Sequence, residues 1–99
     1  MKRTLRHPNL RPSHPGEVVA LSIAEADLSK TALAAALGIS RNSLHLLVTK
    51  KQSVTAAMAV RLEAVLGPSA EMWLNMQVTH DLWRARAAID VSKMRRIAA

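Results

Sequence analysis

The sequence predicts an all-α domain of five helices, the last of them extended, and three observations lead to that prediction. Strand-like alternation of apolar and polar residues is absent from the chain. Apolar residues recur instead at helical spacing, and each such segment begins at a proline, serine or threonine suited to a helix start. Glycine follows two of these segments, where a left-handed turn ends a helix. We therefore expect helices joined by short turns.

The expected helix starts and stops divide the chain clearly. The residues that begin or cap the helices are, in chain order, Pro15, Ser29, Ser40, Thr55 and Ser69. The first helix runs to about Ala26, Gly38 and Gly67 stop the second and fourth, and the fifth reaches about Ile89. The helical domain thus spans residues 14–90. Residues 1–13 form a basic, proline-containing arm that we expect to be flexible, and residues 91–99 form a basic tail.

The charge distribution indicates a polyanionic partner. The 99-residue chain has 14 Lys and Arg against 7 Asp and Glu, a net charge of +7. Residues 28–54 contain no acid, which is typical of a surface that meets nucleic acid. From charge alone, a solvated basic surface is an equally open interpretation.

Several function classes find no support in the sequence. The chain has no cysteine, so it has no disulfide, thiolate metal site or cysteine nucleophile. Metal-ligand spacing and a nucleophile–base set are also lacking, and the neighbours His80 and Asp81 point about 100° apart on a helix. We therefore expect no enzymatic activity, metal or cofactor. No apolar stretch follows the basic N-terminus and no run is long enough to span a membrane, so we expect neither a signal peptide nor a membrane segment.

The second and third helices match a helix-turn-helix over about residues 29–49. Ala34 is small where the two helices would cross closely, and Gly38 makes the turn four residues later. The apolar contacts that fix the crossing angle then come from Ile39, Leu44 and Leu47. The alternative is an ordinary helical hairpin within a bundle.

The outward face of the third helix favours DNA binding over that alternative, because it is rich in hydrogen-bonding groups and contains no acid. The first residues of such a helix reach base edges in the major groove, where Arg bonds guanine and Asn bonds adenine. We assign base reading to Arg41, Asn42 and His45. The residues expected at DNA phosphates are Lys30, Thr31, Ser40, Ser43, Thr49, Lys50 and Lys51. For each side chain, a solvated position is the alternative.

The fifth helix carries two apolar stripes, which predicts a dimer because a surface helix needs only one stripe for its own core. One stripe is Leu74, Val78, Leu82, Ala85 and Ile89, and which of the two stripes forms the interface stays open. The second, about a quarter turn away and assigned to the dimer interface, is Trp73, Met76, Trp83 and Ala87. A two-fold dimer would place its recognition helices one DNA turn apart and demand a palindromic site. The alternative is one wide face buried within the monomer.

Three stretches of the chain resemble HigA-type antitoxins, a branch of the phage-repressor-like (XRE) helix-turn-helix proteins. The letters HPGEV at residues 14–18 resemble the opening of these proteins, and ALAAALGISRNSL at residues 32–44 resembles their DNA-binding core. The letters WLNMQ at residues 73–77 resemble their fifth helix. The resemblance implies a bacterial, cytoplasmic antitoxin of a type II toxin–antitoxin system. Such a protein neutralises a RelE-like mRNA-cleaving toxin and represses its own operon as a homodimer.

The chain departs from the family pattern at two turns. Residues 49–52 read TKKQ where the family often has a glycine, and Asp27 stands where a turn glycine is common. A stand-alone transcriptional regulator without a toxin remains the alternative function. A gene for a small basic protein beside this one would separate the two hypotheses.

Overall fold

Five α-helices and one short 3-10 turn make up the fold. The structure is a computed structural model that describes residues 11–98. Its elements are α1 (Pro15–Ala26), α2 (Lys30–Leu37), α3 (Arg41–Val48), α4 (Ala56–Leu66), α5 (Ala70–Ala88) and a 3-10 turn (Val91–Lys93). The part of the chain that the structure describes contains no strand, and the all-α, five-helix prediction is confirmed.

The four predicted serine and threonine caps are confirmed by their hydrogen bonds. In each case the side-chain oxygen accepts the N–H of the residue three positions later, at 3.0 to 3.2 Å. A cap of this kind stabilises a helix by about 1 kcal/mol. Together these caps fix where α2, α3, α4 and α5 begin, and therefore which side chains stand in the first turn of α3.

The core lies where α3 packs against α1 and α2, and where α4 packs against α5. Its buried apolar residues are Val19, Leu33, Ala34, Leu37, Leu44, Leu47, Val54, Ala59, Leu62 and Trp73. Burying one such Leu side chain contributes about 1.5–3 kcal/mol. Because α3 supplies Leu44 and Leu47 to this core, its opposite side faces outward.

The structure contradicts one assignment on α5, that of Trp73, while Leu74 of the other stripe is half-buried against the core. Trp73, which we expected in the dimer interface, is fully buried, and its Nε1 donates to the carbonyl oxygen of Pro68 at 3.0 Å. The exposed apolar residues of α5 include Val78 and Leu82, at 53% and 43% of full exposure, and Ile89, directly after the helix, is 51% exposed. The assignment of Trp73 to a partner surface is therefore wrong.

The other residues of the expected interface occupy a range of positions. Met76 is half-buried against the core, Trp83 is half-buried and Ala87 is exposed. Trp73 is buried because α1 and α4 pack against the side of α5 that carries it. Helical periodicity alone cannot distinguish two apolar stripes that lie a quarter turn apart.

The N-terminal arm is described only where it joins the domain. Residues 1–10 of the predicted flexible arm lie outside the described residues. Arg11 pairs with Glu17, Nη2 to Oε1, at 2.9 Å, and Pro12 is buried. The end of the arm is thus held against α1. No helix within residues 11–98 combines the length and the apolar character needed to cross a membrane.

Candidate DNA interface

The turn between α2 and α3 is fixed by a glycine and by an arginine from α4. Gly38 has a φ of +72°, a conformation that is strained for other residues. The Nη1 atom of Arg61 donates to the carbonyl oxygens of Leu37 at 2.7 Å and Gly38 at 3.3 Å. The Arg61 guanidinium thus gives hydrogen-bond donors to carbonyls at the negative C-terminal end of α2, and it stabilises the turn. Sequence reasoning did not identify Arg61, which lies far from the turn along the chain.

The first two turns of α3 present the three residues assigned to base reading. Arg41, Asn42 and His45 are all exposed. Residues four apart on a helix lie on one face, so Arg41 and His45 align and Asn42 stands beside them. Among the described residues, none of the three side chains forms an ion pair or a side-chain hydrogen bond. Their donors and acceptors are available to a ligand.

Ser40 and Ser43 stabilise the start of α3 as well as lining its surface. The Oγ of Ser40 accepts the N–H of Ser43 at 3.0 Å and donates to the Oγ of Ser43 at 2.9 Å. Lys30 and Thr31 open α2 and are exposed, and Lys51 is exposed in the loop after α3. The structure thus brings these residues to the surface around the reading face.

Thr49 is half-buried, and its hydroxyl is already engaged. It donates to the carbonyl oxygen of His45 at 2.7 Å, with the carbonyl of Leu46 at 3.4 Å. A hydroxyl has one proton to donate. A phosphate contact through this hydroxyl would therefore replace a hydrogen bond at the end of α3.

Lys50 has two features that set it apart from Lys51. Its φ is +64°, a left-handed conformation that residues other than glycine adopt only rarely. Its Nζ bonds Oε1 of Glu17 at 3.2 Å, and the same oxygen binds Arg11. Burial alone would raise the pKa of Glu17, but the hydrogen bonds from Arg11 and Lys50 outweigh burial and lower that pKa. Glu17 therefore stays ionised near neutral pH and partly neutralises both cations.

The start of α1 is built tightly onto the end of α3. The Nδ1 atom of His14 caps α1 by accepting the N–H of Gly16 at 2.9 Å. A Cβ at Gly16 would overlap the carbonyl oxygen of Leu47, so only glycine allows this approach. Sequence reasoning noted the HPGEV letters but assigned no role to His14 or Gly16. The available signal was the position of His14 directly before Pro15, which starts the helix.

His80, on α5, packs against His14 at the back of this junction. The two rings meet edge to face with centroids 5.0 Å apart, and both side chains are buried. Burial, followed by the neighbouring His80, lowers the pKa of His14. The junction therefore favours a neutral His14, the form whose Nδ1 can accept a hydrogen bond.

Within residues 11–98, no group of three or more His, Cys, Asp and Glu side chains is placed to hold a metal ion. The site instead consists of a helix-turn-helix with an exposed, acid-free recognition helix. This arrangement defines the class of the protein as a phage-repressor-like helix-turn-helix protein.

Comparison with known proteins places the chain within that class. No family model matches the chain. The helix-turn-helix-type transcriptional regulator YddM of Escherichia coli K12 is 36% identical over 83 residues, which cover 84% of this chain and 88% of YddM. Antitoxin HigA-1 of Vibrio cholerae is 36% identical over 83 residues, covering 83% of this chain and 78% of that protein.

Similarity to a solved structure points to the same group of proteins. The antitoxin HigA of Pseudomonas aeruginosa, solved with the higBA promoter, matches with a TM-score of 0.82 at 33% identity and covers 90% of this chain and all of that one. The chain belongs to the HigA family of helix-turn-helix antitoxins and DNA-binding regulators. YddM, HigA-1 and the Pseudomonas aeruginosa HigA are regulators and antitoxins rather than enzymes.

Proposed function

We propose that this protein is an antitoxin that binds the operator of its own operon as a homodimer, represses it, and neutralises a RelE-like mRNA-cleaving toxin. The observation that carries the DNA-binding part is the exposed, acid-free first half of α3. The toxin-binding part is supported by the similarity to antitoxin HigA-1 of Vibrio cholerae. Because the operator is chromosomal or plasmid DNA, this activity belongs in the bacterial cytoplasm.

Base reading falls to Arg41, Asn42 and His45 in this proposal. The guanidinium of Arg41 can bond O6 and N7 of a guanine, and the amide of Asn42 can bond N6 and N7 of an adenine. Phosphate contacts fall to the surrounding set, which is Lys30, Thr31, Ser40, Ser43, Thr49, Lys50 and Lys51. Phosphate contacts position the protein and base contacts select the sequence.

The homodimer uses the exposed stripe of Val78, Leu82 and Ile89 in this proposal. Val78 and Leu82 lie on the side of α5 that faces away from Trp73 and the core, and Ile89 follows directly after the helix. Exposed large apolar side chains grouped in this way favour burial against a second copy. A two-fold arrangement pairs two recognition helices with a palindromic operator.

Replacing Arg41 with Ala tests the DNA-reading role. We expect operator binding to weaken by about 1–3 kcal/mol, with selectivity lost at one base pair of each half-site. Fluorescence anisotropy with DNA from upstream of the gene measures the affinity, and a set of single-base variants measures the selectivity. Arg86→Ala, another exposed arginine, on α5, is the control. An Arg41→Ala variant that binds operator and unrelated DNA like the wild type would contradict the assigned role.

The second candidate function is a stand-alone regulator, which the similarity to the E. coli regulator YddM favours. Co-purification with the product of the neighbouring gene separates the two candidates. A stable complex that suppresses mRNA cleavage supports the antitoxin. DNA binding without any such complex supports the stand-alone regulator.

A further inference from the structure

A basic surface pocket lies where the start of α1, the end of α3 and the second half of α5 meet. It has a volume of about 390 Å³ and is lined by Arg11, Lys50, His80, Trp83 and Arg84. We call it the Arg84 pocket. Arg84 is not among the residues that the sequence assigned to DNA, because it lies on α5, outside the helix-turn-helix.

The charges around the Arg84 pocket favour an anion. Glu17 shares one oxygen between Arg11 and Lys50, so it balances only one of these two charges. Among the described residues Arg84 forms no ion pair. The nearest acid on α5, Asp81, accepts from Nε2 of Gln77 at 3.0 Å and lies 3.7 Å from Nδ1 of His80. The pocket therefore retains an excess of positive charge and unused donors.

The donors that remain suit a phosphate group. A guanidinium has five N–H donors and an ammonium has three, so Arg11 and Lys50 keep free donors while bound to Glu17. Arg84 can add a forked pair of donors, the geometry that matches phosphate oxygens. His80 forms a rigid wall because its ring is packed against His14. Glu17 thus holds Arg11 and Lys50 close together before any ligand arrives, and Arg84 lines the same pocket.

The position of the pocket relative to α3 favours a phosphate of DNA over a carboxylate of a protein partner. Lys50 follows α3 by two residues, and the start of α1 packs directly on Leu47 of α3. An eight-residue helix is about 12 Å long, close to the width of the major groove, also about 12 Å. Lys50, which the proposed function places at a DNA phosphate, lines the pocket, so an operator phosphate is the anion expected beside Arg84.

We propose that in each protein chain of the dimer the Arg84 pocket binds one backbone phosphate of the operator, with Arg84 as a direct ligand. Glu17 acts as a positioning residue that holds Arg11 and Lys50 beside it. This inference rests on the proposed operator binding and extends the DNA contact from the helix-turn-helix to α5.

A salt titration of Arg84→Ala tests the proposal, with Arg86→Ala as the matched control. Arg86 is an exposed arginine on the same helix that does not line the pocket. We expect Arg84→Ala to weaken operator and unrelated DNA alike and to reduce the salt dependence, log K against log salt, by about 0.9 per chain. Arg84→Lys should recover most of that slope, and Arg86→Ala should leave it unchanged.

Ethylation of individual operator phosphates gives a second readout. In each half-site, one ethylated phosphate should impair the wild type but not Arg84→Ala. An unchanged salt slope in Arg84→Ala overturns the pocket proposal while operator binding by the wild type stands. Failure of the wild type to bind any DNA from its own operon overturns both proposals. If Arg84→Ala keeps the wild-type salt slope but no longer binds the product of the neighbouring gene, the pocket is assigned to an acidic protein partner instead.

Discussion

The neutral form of His14 is required by its role as the cap of α1. Its Nδ1 accepts the N–H of Gly16, and a proton on that atom would turn an acceptor into a donor. Burial, then the nearby His80, lowers its pKa below the value of about 6.5 expected in an unfolded chain. As pH falls, the unfolded chain therefore takes up this proton first.

The stability contributed by neutral His14 is complete above about pH 6.5 and is lost as the pH falls from there through the lowered pKa. We expect the Tm of His14→Asn to fall less than that of the wild type between about pH 7.5 and about pH 5, because Asn caps a helix but does not titrate. Thermal unfolding followed by circular dichroism measures this. His45→Asn, at an exposed position, should keep the wild-type pH dependence. Equal pH dependence in His14→Asn and the wild type would be inconsistent with this role.

At the scale of elements, the contact between α1 and α3 depends on the missing side chain at Gly16. In an open helix, replacing Gly with Ala gains about 0.5–1 kcal/mol. Here the added Cβ overlaps the carbonyl oxygen of Leu47, and backbone cannot move aside as a flexible side chain does. The steric cost therefore exceeds the helix-propensity gain.

We expect Gly16→Ala to lower the free energy of unfolding by about 1–3 kcal/mol, the usual cost of overfilling a packed contact. Urea denaturation measures it. Ala20→Gly, at an exposed position in the same helix, should cost about 0.5–1 kcal/mol through propensity alone. A more stable Gly16→Ala variant would refute the close approach of α1 to α3.

The elements that could be predicted are those defined by neighbouring residues. Ser29 and Ser40 cap their helices through residues three positions away, so the local sequence places the starts of both helices of the helix-turn-helix. Trp73 on α5 could not be placed in this way, because distant elements, α1 and α4, determine which side of α5 is covered. The hydrogen bond of Lys50 could not be predicted either, because its partner Glu17 is 33 residues away. Interactions of this kind join residues that no spacing rule connects.

At the scale of the whole molecule, the exposed stripe on α5 determines the proposed dimer. We expect Leu82→Glu to be monomeric at concentrations where the wild type is dimeric, because two charges would be buried without partners. Sedimentation velocity measures the oligomeric state. Operator affinity should fall as well, since a monomer reads only one half-site.

Val60→Glu is the matched control for Leu82→Glu. Val60 is an exposed apolar residue on α4, at 58% of full exposure, and lies outside the α5 stripe. It should leave both the dimer and its operator affinity intact. A dimeric Leu82→Glu variant would exclude this stripe as the interface.

The side chains at positions 41, 42 and 45 project from α3 without supporting any other part of the described fold. In the proposed base-reading role, substitutions there should change what the helix recognises while leaving the scaffold that presents it intact. Related genes within one genome can therefore diverge in operator preference by exchanging a few letters. Paralogous copies would escape cross-regulation without first acquiring compensating changes in the core.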